Sequence, residues 1–261
     1  MNANMEMPAG QALIYDSLTV LWGDWLELRS RLTQVIASGL ISPLIYILAF
    51  GYGLGSTLDS VDFGGSYLNF ILPGMAALSS MTISFGGTTF SICGDRLYSK
   101  TFEEMLLAPI SPLALYLGKM LAGVLRGLLT AGAVVAVAIL FTGNWRFLHP
   151  GFWLLLVLNG MVFAGLGAIV GLKVASLEAV GLANNFAIVP MSFLGGTFFD
   201  PSRLGAPLQW VVYALPLTHT SSGLRAIASG NNPAWIHILV LAGVALGLAW
   251  VGGRLFASQR D

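Results

Sequence analysis

Few side chains in this 261-residue chain have the chemistry of an active site, and their placement argues against an enzyme. The three histidines, His149, His219 and His237, are scattered, and the sequence has no HExxH metal motif. Cys93 is the only cysteine, which excludes an intrachain disulfide and a cysteine-rich metal site. There is no GxSxG nucleophile turn and no GxxxxGK[ST] phosphate loop. We therefore expect no catalytic residue, no metal site and no ATP site on this chain.

Three polar side chains interrupt otherwise apolar stretches. Arg126 is predicted within the third apolar run, about two turns beyond Lys119, where a charge is costly and marks a functional candidate. Its side chain has the alternative of reaching back to the cytoplasmic surface beside Lys119. Asn184 and Asn185 either hydrogen-bond neighbouring helices or line a polar path. The apolar runs contain no carboxylate, so the sequence does not support coupling to protons or sodium ions.

Several aromatic residues and one methionine have two interpretations. They either line a route for an amphiphilic substrate or simply face lipid and the protein core. The set comprises Phe85, Phe90, Phe186, Met191, Phe193, Phe198 and Phe199. Together with Asn184 and Asn185, these residues form our candidate translocation path.

The composition identifies the kind of protein that must position these residues. Hydrophobic residues make up 56% of the chain and charged residues only 9%, whereas about a quarter of a soluble domain is charged. The formal net charge is zero, which leaves no basic surface for nucleic acid. A polytopic membrane protein is the class that fits.

Six long runs with few or no charges predict six transmembrane helices, since about 20 apolar residues are enough to cross a bilayer. We place them at about 32–56, 67–94, 113–141, 152–172, 179–199 and 235–253. The expected fold is therefore an all-α polytopic membrane protein, with a transmembrane domain over 32–255 and a cytoplasmic tail at 256–261. Pairs of glycines four residues apart permit close helix contacts. They are Gly51/Gly55, Gly123/Gly127, Gly167/Gly171 and Gly243/Gly247.

The N-terminal segment, residues 1–31, predicts an amphipathic helix outside these spans. Its apolar stripe includes Trp22 and Trp25, whereas Asp24 and Glu27 lie mostly elsewhere. Tryptophan on an apolar stripe is typical of the water–lipid boundary. We therefore expect this helix to lie in the interface rather than to cross the membrane.

Residues 200–225 are the ambiguous stretch. The run 204–224 has no charge and is long enough to cross, but it contains Pro207, Pro216 and several polar residues. With six spans and a cytoplasmic N-terminus, eight Lys and Arg residues lie in cytoplasmic segments and three on the far side. A seventh crossing would move Arg254 and Arg260 outside. We therefore predict re-entrant helices on the far side, with both chain termini in the cytoplasm.

The stretch from Asp95 to Pro112 is the main charged interruption between two apolar runs. Phe102, Met105 and Leu106 recur at the spacing of one helical face, and Pro109 ends the pattern. Two interpretations follow from the pattern alone. The segment is either an amphipathic cytoplasmic loop, or a short helix that offers residues 102–107 to a soluble partner.

Three stretches of the sequence resemble the permease subunits of ABC-2 type exporters, the group of the daunorubicin-resistance permeases and the nodulation lipo-oligosaccharide exporter. The first is SPLIYILAFGYGLG at 42–55 with SYLNFILPGM at 66–75, and the second is KTFEEMLLAPISPLALYLGK at 100–119. The third joins FLGG at 193–196 to PLTH at 216–219, with Arg225 six residues later. Thr197 departs from the pattern, which favours a smaller or aliphatic residue there. The resemblance extends from about Arg31 to Gly230.

This resemblance implies a cytoplasmic coupling helix at about 96–109. Two permease chains would form the membrane part, as a homodimer or a heterodimer, and two copies of a separate ATPase subunit would dock on the coupling helices. The implied docking residues are Arg96, Lys100, Thr101, Phe102, Glu103, Glu104, Met105, Leu106, Leu107 and Pro109. The far-side re-entrant segment would carry Pro216, His219 and Arg225. No cofactor is expected on this chain, because ATP and Mg would bind the partner ATPase.

The resulting hypothesis is a non-catalytic permease subunit of an ATP-driven exporter in a bacterial cytoplasmic (inner) membrane, in contact with lipid. A drug, a lipid and a lipid-linked saccharide fit the apolar spans about equally well. The alternatives are import, a mechanotransmitting or scaffold subunit without its own substrate passage, and a membrane-embedded lipid-modifying enzyme. The substrate, the direction of transport and the pairing of the permease stay open at this point.

Overall fold

The structure, a computed structural model, describes residues 9–49 and 67–259. Within these ranges it is helical and has no strands, and six helices are long and apolar enough to cross a membrane. The predicted all-α, six-span fold class is thereby confirmed. The predicted end of the first span beyond residue 49 and the pair Gly51/Gly55 lie outside the described residues, as do the last two residues of the tail.

The first half of the molecule contains the helices that surround the charged segment. The first span is α2 with a short continuation, so that it covers Leu32–Ala49. The helices are α1 (Ala9–Ser30), α2 (Leu32–Tyr46), α3 (Tyr67–Leu97), α4 (Thr101–Leu107) and α5 (Pro112–Thr142).

The second half begins with a 3-10 turn, Trp145–Leu148, and ends with the sixth span. A π-helical turn at Asn184–Ile188 joins α7 and α8 into the fifth span. The helices are α6 (Pro150–Lys173), α7 (Leu177–Ala183), α8 (Val189–Leu194), α9 (Ala206–Tyr213), α10 (Pro216–Ala228) and α11 (Trp235–Ala257).

The starts of the long helices follow from local sequence. The Ser111 hydroxyl accepts a hydrogen bond from the Ala114 amide at 3.1 Å, and Pro112 occupies the first helical position, where no amide hydrogen is needed. In the same way the Ser176 hydroxyl caps α7. Gly143 ends α5 with φ +64°, a left-handed conformation that glycine adopts without strain.

Helix α3 is the centre of the bundle, packed between α5, α6 and α10. Small residues permit this close packing. A Cβ added to Gly123 or Gly127 of α5 would overlap hydroxyl groups of α3. A Cβ added to Gly167 of α6 would lie 2.5 Å from the Phe85 carbonyl oxygen. These two predicted glycine pairs therefore lie in tight helix contacts.

Three boundaries differ from the sequence expectations. The charged helix is shorter than 96–109, because α3 continues to Leu97 and the chain then turns at Lys100, whose φ is +57°. The fifth span ends at Leu194 rather than residue 199, and Gly196 with φ +72° redirects the chain. The segment expected at 200–225 forms α9 and α10, and α10 continues to Ala228.

Candidate functional site

Helix α4 is attached to the transmembrane bundle by its apolar face. The Phe102 ring is buried with its edge against Phe256 near the end of α11, at a centroid distance of 5.7 Å. Phe256 in turn meets Tyr116 of α5 at 5.5 Å. Edge-to-face aromatic pairs stabilise a fold by more than their buried area alone would. Met105 and Leu106 of α4 pack against the same aromatic cluster. The cluster therefore joins α4 to both α5 and α11.

A polar tether holds the start of α4 to the same bundle. Thr101 donates a hydrogen bond to one Asp95 carboxylate oxygen at 3.3 Å, and the other oxygen accepts from the Lys119 ammonium at 2.7 Å. The same ammonium binds the Asp24 carboxylate at 2.7 Å. We call Asp24, Asp95 and Lys119 the charged triad. It joins α1, α3 and α5, and through Thr101 it also reaches α4.

The burial of the triad explains why its members must pair. The Lys119 side chain is only 2% exposed and the Asp24 side chain 9%. A buried charge is tolerated when it is paired and hydrogen-bonded. The triad is not evident from the sequence, because Lys119 lies 95 positions from Asp24 and 24 positions from Asp95. The available signal was a lysine in an apolar helix, which requires a nearby anion.

The outer face of α4 exposes both acidic and apolar groups. Glu103 and Glu104 are exposed, as is Pro109, and the Leu107 side chain is 87% exposed. The acidic pair also suits the first turn, where the helix dipole is positive. Phe102 was expected among the docking contacts, but it is buried against its own chain. Its side chain therefore lies on the inner side of α4, and its part in docking stays a prediction.

Arg96, another of the implied docking residues, makes two hydrogen bonds within its own chain. Its guanidinium donates to the Gly171 carbonyl oxygen at 2.9 Å and to the Val174 carbonyl oxygen at 3.2 Å. These carbonyls belong to the last turn of α6 and the residue after it, where backbone acceptors have no helical partner. Arg96 thus joins the end of α3 to the end of α6, next to the start of α4.

Two adjoining cavities form a groove along one side of the bundle. The larger, about 670 Å³, lies at the end that carries α4, and its lining includes Phe90, Asp95 and Arg126. The smaller, about 290 Å³, lies between α2, α3 and the fifth span. The two share Ser38 and Ile83, so we treat them as one long groove.

The structure brings part of the candidate translocation path to this groove. Phe90 lines the larger cavity, and Asn184, Phe193 and Phe198 line the smaller one. Phe85 is instead fully buried in the core. The other four are elsewhere: Phe186 is 82% exposed, Asn185 is exposed, and Met191 and Phe199 are half-buried. Passage of a substrate along the groove stays a prediction.

At the opposite end of the bundle, Arg225 ties α10 to two other elements. Its guanidinium donates to the Phe70 carbonyl oxygen at 3.2 Å and to the Gly196 carbonyl oxygen. It also lies 4.0 Å above the centre of the Phe70 ring, a cation–π arrangement. Arg225 thereby fixes α10 to the start of α3 and to the chain after the fifth span.

His219 and Pro216 also organise this end. Pro216 is the first residue of α10, where its fixed φ favours a helix start. His219 places Nε2 2.9 Å from the Tyr213 carbonyl oxygen and Nδ1 3.1 Å from Nδ1 of His237. Since a carbonyl only accepts, Nε2 of His219 carries a proton, and in the neutral ring Nδ1 then accepts from Nδ1–H of His237. The pair joins α10 to α11, while the membrane depth of α9 and α10 stays a prediction.

Comparisons with known proteins identify the family of this arrangement. A family model described as ABC-2 type transporter matches residues 15–228. The inner membrane transport permease YadH of Escherichia coli (strain K12) is 27% identical over 225 residues, which cover 84% of this chain and 86% of that protein.

Nodulation proteins give similar matches. Nodulation protein J of Rhizobium leguminosarum bv. viciae is 29% identical over 227 residues, 86% of this chain and 87% of that protein. Nodulation protein J of Rhizobium meliloti (strain 1021) is 32% identical over 197 residues, 75% of this chain and 74% of that protein. The matched range of the family model includes α4, the groove-lining helices and α10. The chain therefore belongs to the ABC-2 type transporter family, as a polytopic membrane permease.

Proposed function

We propose that this permease is the membrane subunit of an ATP-driven exporter whose ATP and Mg sites lie on separate ATPase chains. Family membership supports an ATPase partner in general. The observation that carries the proposal is the difference between the two faces of α4. Its inner face packs on the bundle through Phe102, and its outer face exposes Leu107 and two glutamates.

This attachment suits α4 to transmit force. A close-packed interior transmits displacement rather than absorbing it. A push on the Leu107 side would therefore move the ends of α3, α5 and α11 together with α4. ATP binding on the partner supplies the differential affinity that a ligand-driven change between inward-open and outward-open states requires.

The proposed assembly contains two permease chains and two ATPase subunits. The second permease is either a copy of this chain or a sister chain. The similarity to a protein named as an inner membrane permease leads us to place this chain in a bacterial inner membrane. By the distribution of Lys and Arg, α4 and both termini are assigned to the cytoplasm.

The groove supports a hydrophobic or amphiphilic substrate. Its larger cavity falls in the usual size range of sites for small organic ligands, about 300–1,000 Å³. Phe193 and Phe198 line the part far from α4, whereas Asp95 and Arg126 line the part near it. This distribution favours a molecule with one polar end.

Co-expression with a candidate ATPase tests the proposal. The permease would be purified through a tag, and the amount of bound ATPase and its rate of ATP hydrolysis would be measured. Leu107→Asp should lower ATPase recovery by about tenfold or more, because it puts an unpaired charge into an apolar contact. Leu140→Asp is the matched control, since Leu140 is 84% exposed but lies near the other end of α5.

Unchanged recovery and hydrolysis with Leu107→Asp would refute docking on this face. Hydrolysis that responds to the permease without export of any amphiphile into the vesicle lumen would instead favour the mechanotransmitting role. Thermal unfolding of each variant alone would show whether the permease itself is still folded.

A further inference from the structure

Arg126 is a cation in the middle of a transmembrane helix. It lies 14 residues after Pro112 in α5, which has 31 residues. It is seven residues beyond Lys119, or roughly 10 Å along the helix at 1.5 Å per residue. The guanidinium donates to the Gly87 carbonyl oxygen at 2.9 Å. Gly87 is itself eight residues, about 12 Å, before Asp95 along α3, so Arg126 does not extend to the level of the charged triad.

The hydrogen bonding of Arg126 is incomplete. In the parts of the chain that the structure describes, no carboxylate lies within ion-pair distance of its guanidinium. Its Nε is buried and has no hydrogen-bond partner. A guanidinium has five N–H donors, and leaving one of them buried and unpaired carries a desolvation cost. A charge kept in an apolar region at such a cost is a candidate binding group.

The other charges of the groove lie at its mouth, near α4. Glu27 and Arg31 are exposed there. Asp95 uses one carboxylate oxygen for Lys119 and the other for Thr101. Among the residues that the structure describes, Arg126 is the cation that lines the groove beyond this mouth, and the wall continues as the second cavity, which has no charged side chain and includes Phe193 and Phe198. The groove therefore offers a deep cation followed by an uncharged cavity.

We propose that Arg126 binds the anionic headgroup, a phosphate or a carboxylate, of a membrane amphiphile whose chain lies along the groove toward Phe193 and Phe198. The planar fork of arginine donors matches both headgroups and forms charge-assisted hydrogen bonds with them. An amphiphile fits better than a soluble anion because the wall next to Arg126 is continuous with apolar surface. This inference rests on the proposed function, for which it names the class of substrate.

Two neighbouring glycines supply an indirect probe of the same site. A Cβ added to Gly87 would lie 3.3 Å from Cδ of Arg126, so this contact would have to shift. A Cβ added to Gly86 would have no atom within 4 Å. Gly87→Ala therefore disturbs the position of Arg126 without removing it, and Gly86→Ala is its matched control.

The test measures binding to the purified permease without any ATPase or ATP. The protein would be placed in nanodiscs of phosphatidylcholine, so that no anionic lipid competes. The probe is a twelve-carbon alkyl phosphate with a diazirine in its chain, and labelled peptides are identified by mass spectrometry after irradiation. The competitors are dodecyl phosphate, dodecyltrimethylammonium and inorganic phosphate.

We expect wild-type labelling in α3, α5 and the fifth span that dodecyl phosphate displaces and the other two competitors do not. Arg126→Gln should raise the half-saturating probe concentration by about tenfold or more, because a charge-assisted contact is lost. Arg126→Lys should retain part of the binding. Arg29→Gln, which removes an exposed charge from α1, should have no effect. Gly87→Ala should weaken labelling and Gly86→Ala should not.

Three results would overturn the assignment. They are normal labelling of a folded Arg126→Gln variant, equal displacement by the ammonium competitor, and equal displacement by inorganic phosphate, which would indicate a soluble anion. If Arg126→Gln does not fold, the wild-type competition and the glycine pair still decide the question.

The outcome separates this inference from the proposed function. Charge-selective labelling in a permease that shows no ATP-driven transport would support the binding site at Arg126 and reject the exporter function. ATP-driven transport by a permease whose labelling does not depend on the charge of the competitor would support the exporter function and reject the binding site.

Discussion

Lys119→Met tests whether the charged triad holds the α4 end of the bundle together. The substitution keeps an unbranched side chain in a position that is 2% exposed, but it removes the cation between Asp24 and Asp95. The Asp24 and Asp95 carboxylates are then left close to each other without a cation between them, and Asp24 is largely shielded from water. The structure therefore predicts a large loss of stability from the loss of a single charge.

The magnitude follows from the burial of the partners. Removing one member of a buried ion pair costs about 3–5 kcal/mol, because the remaining charge is uncompensated. Asp95 keeps some contact with solvent, at 20% exposure of its side chain, so the lower part of this range applies. For a chain of this size about 3 kcal/mol lowers the apparent Tm by on the order of 10 °C.

Thermal unfolding in detergent micelles, followed by tryptophan fluorescence, measures this effect. Lys173→Met is the matched control, since Lys173 is an exposed lysine at the end of α6 and should change the Tm little. A triple variant that adds Asp24→Asn and Asp95→Asn should recover most of the loss, because the buried negative charges are gone.

The reasoning is refuted if Lys119→Met unfolds at the wild-type temperature. It is also refuted if the triple variant is less stable than Lys119→Met alone. That result would mean that the carboxylates contribute through contacts other than the lysine.

Three further predictions concern packing and the opposite end of the bundle. Gly123→Ala should lower the apparent Tm because its Cβ would overlap a hydroxyl of α3. Gly247→Ala should leave the apparent Tm unchanged because Gly247 has open space around it. Equal shifts of the two variants would contradict the close packing at Gly123. Phe102→Ala should cost about 3–5 kcal/mol of stability and Leu107→Ala almost none, which thermal unfolding compares directly. Arg225→Met should increase hydrogen exchange over residues 195–230, because two backbone carbonyls lose their donor. Unchanged exchange there would show that other contacts hold α10.

The six spans could be predicted because crossing a bilayer places a strong demand on composition. A run of about 20 apolar residues has few other uses, so length and charge were enough to place each span. Helix ends that depend on local chemistry, such as Ser111 with Pro112, could be read in the same way.

Helix contacts could not be predicted from the same patterns. The pairs Gly123/Gly127 and Gly243/Gly247 have the same spacing, but the first lies against α3 and the second has open space around it. Spacing shows that a close approach is permitted. Which neighbour makes it depends on the three-dimensional arrangement of helices that are distant in sequence.

The same limit applies to the orientation of Phe102. The periodicity identified an apolar face of α4 correctly, but an apolar face serves a partner and the protein's own core equally well. In the structure this face packs against its own chain, because Phe102 contacts Phe256 at the end of the last helix, 154 positions later in the sequence. Only the structure shows that Leu107, and not Phe102, faces outward.

Site-specific photocrosslinking at α4 shows directly whether the ATPase contacts the outer face of this helix. A photoreactive benzoylphenylalanine would replace Leu107 in one variant and Leu140 in another, and membranes containing the permease and its candidate ATPase would be irradiated. We expect a covalent permease–ATPase product from position 107 and none from position 140. Equal products from both positions, or no product from position 107 with an ATPase that co-purifies, would contradict docking on this face of α4.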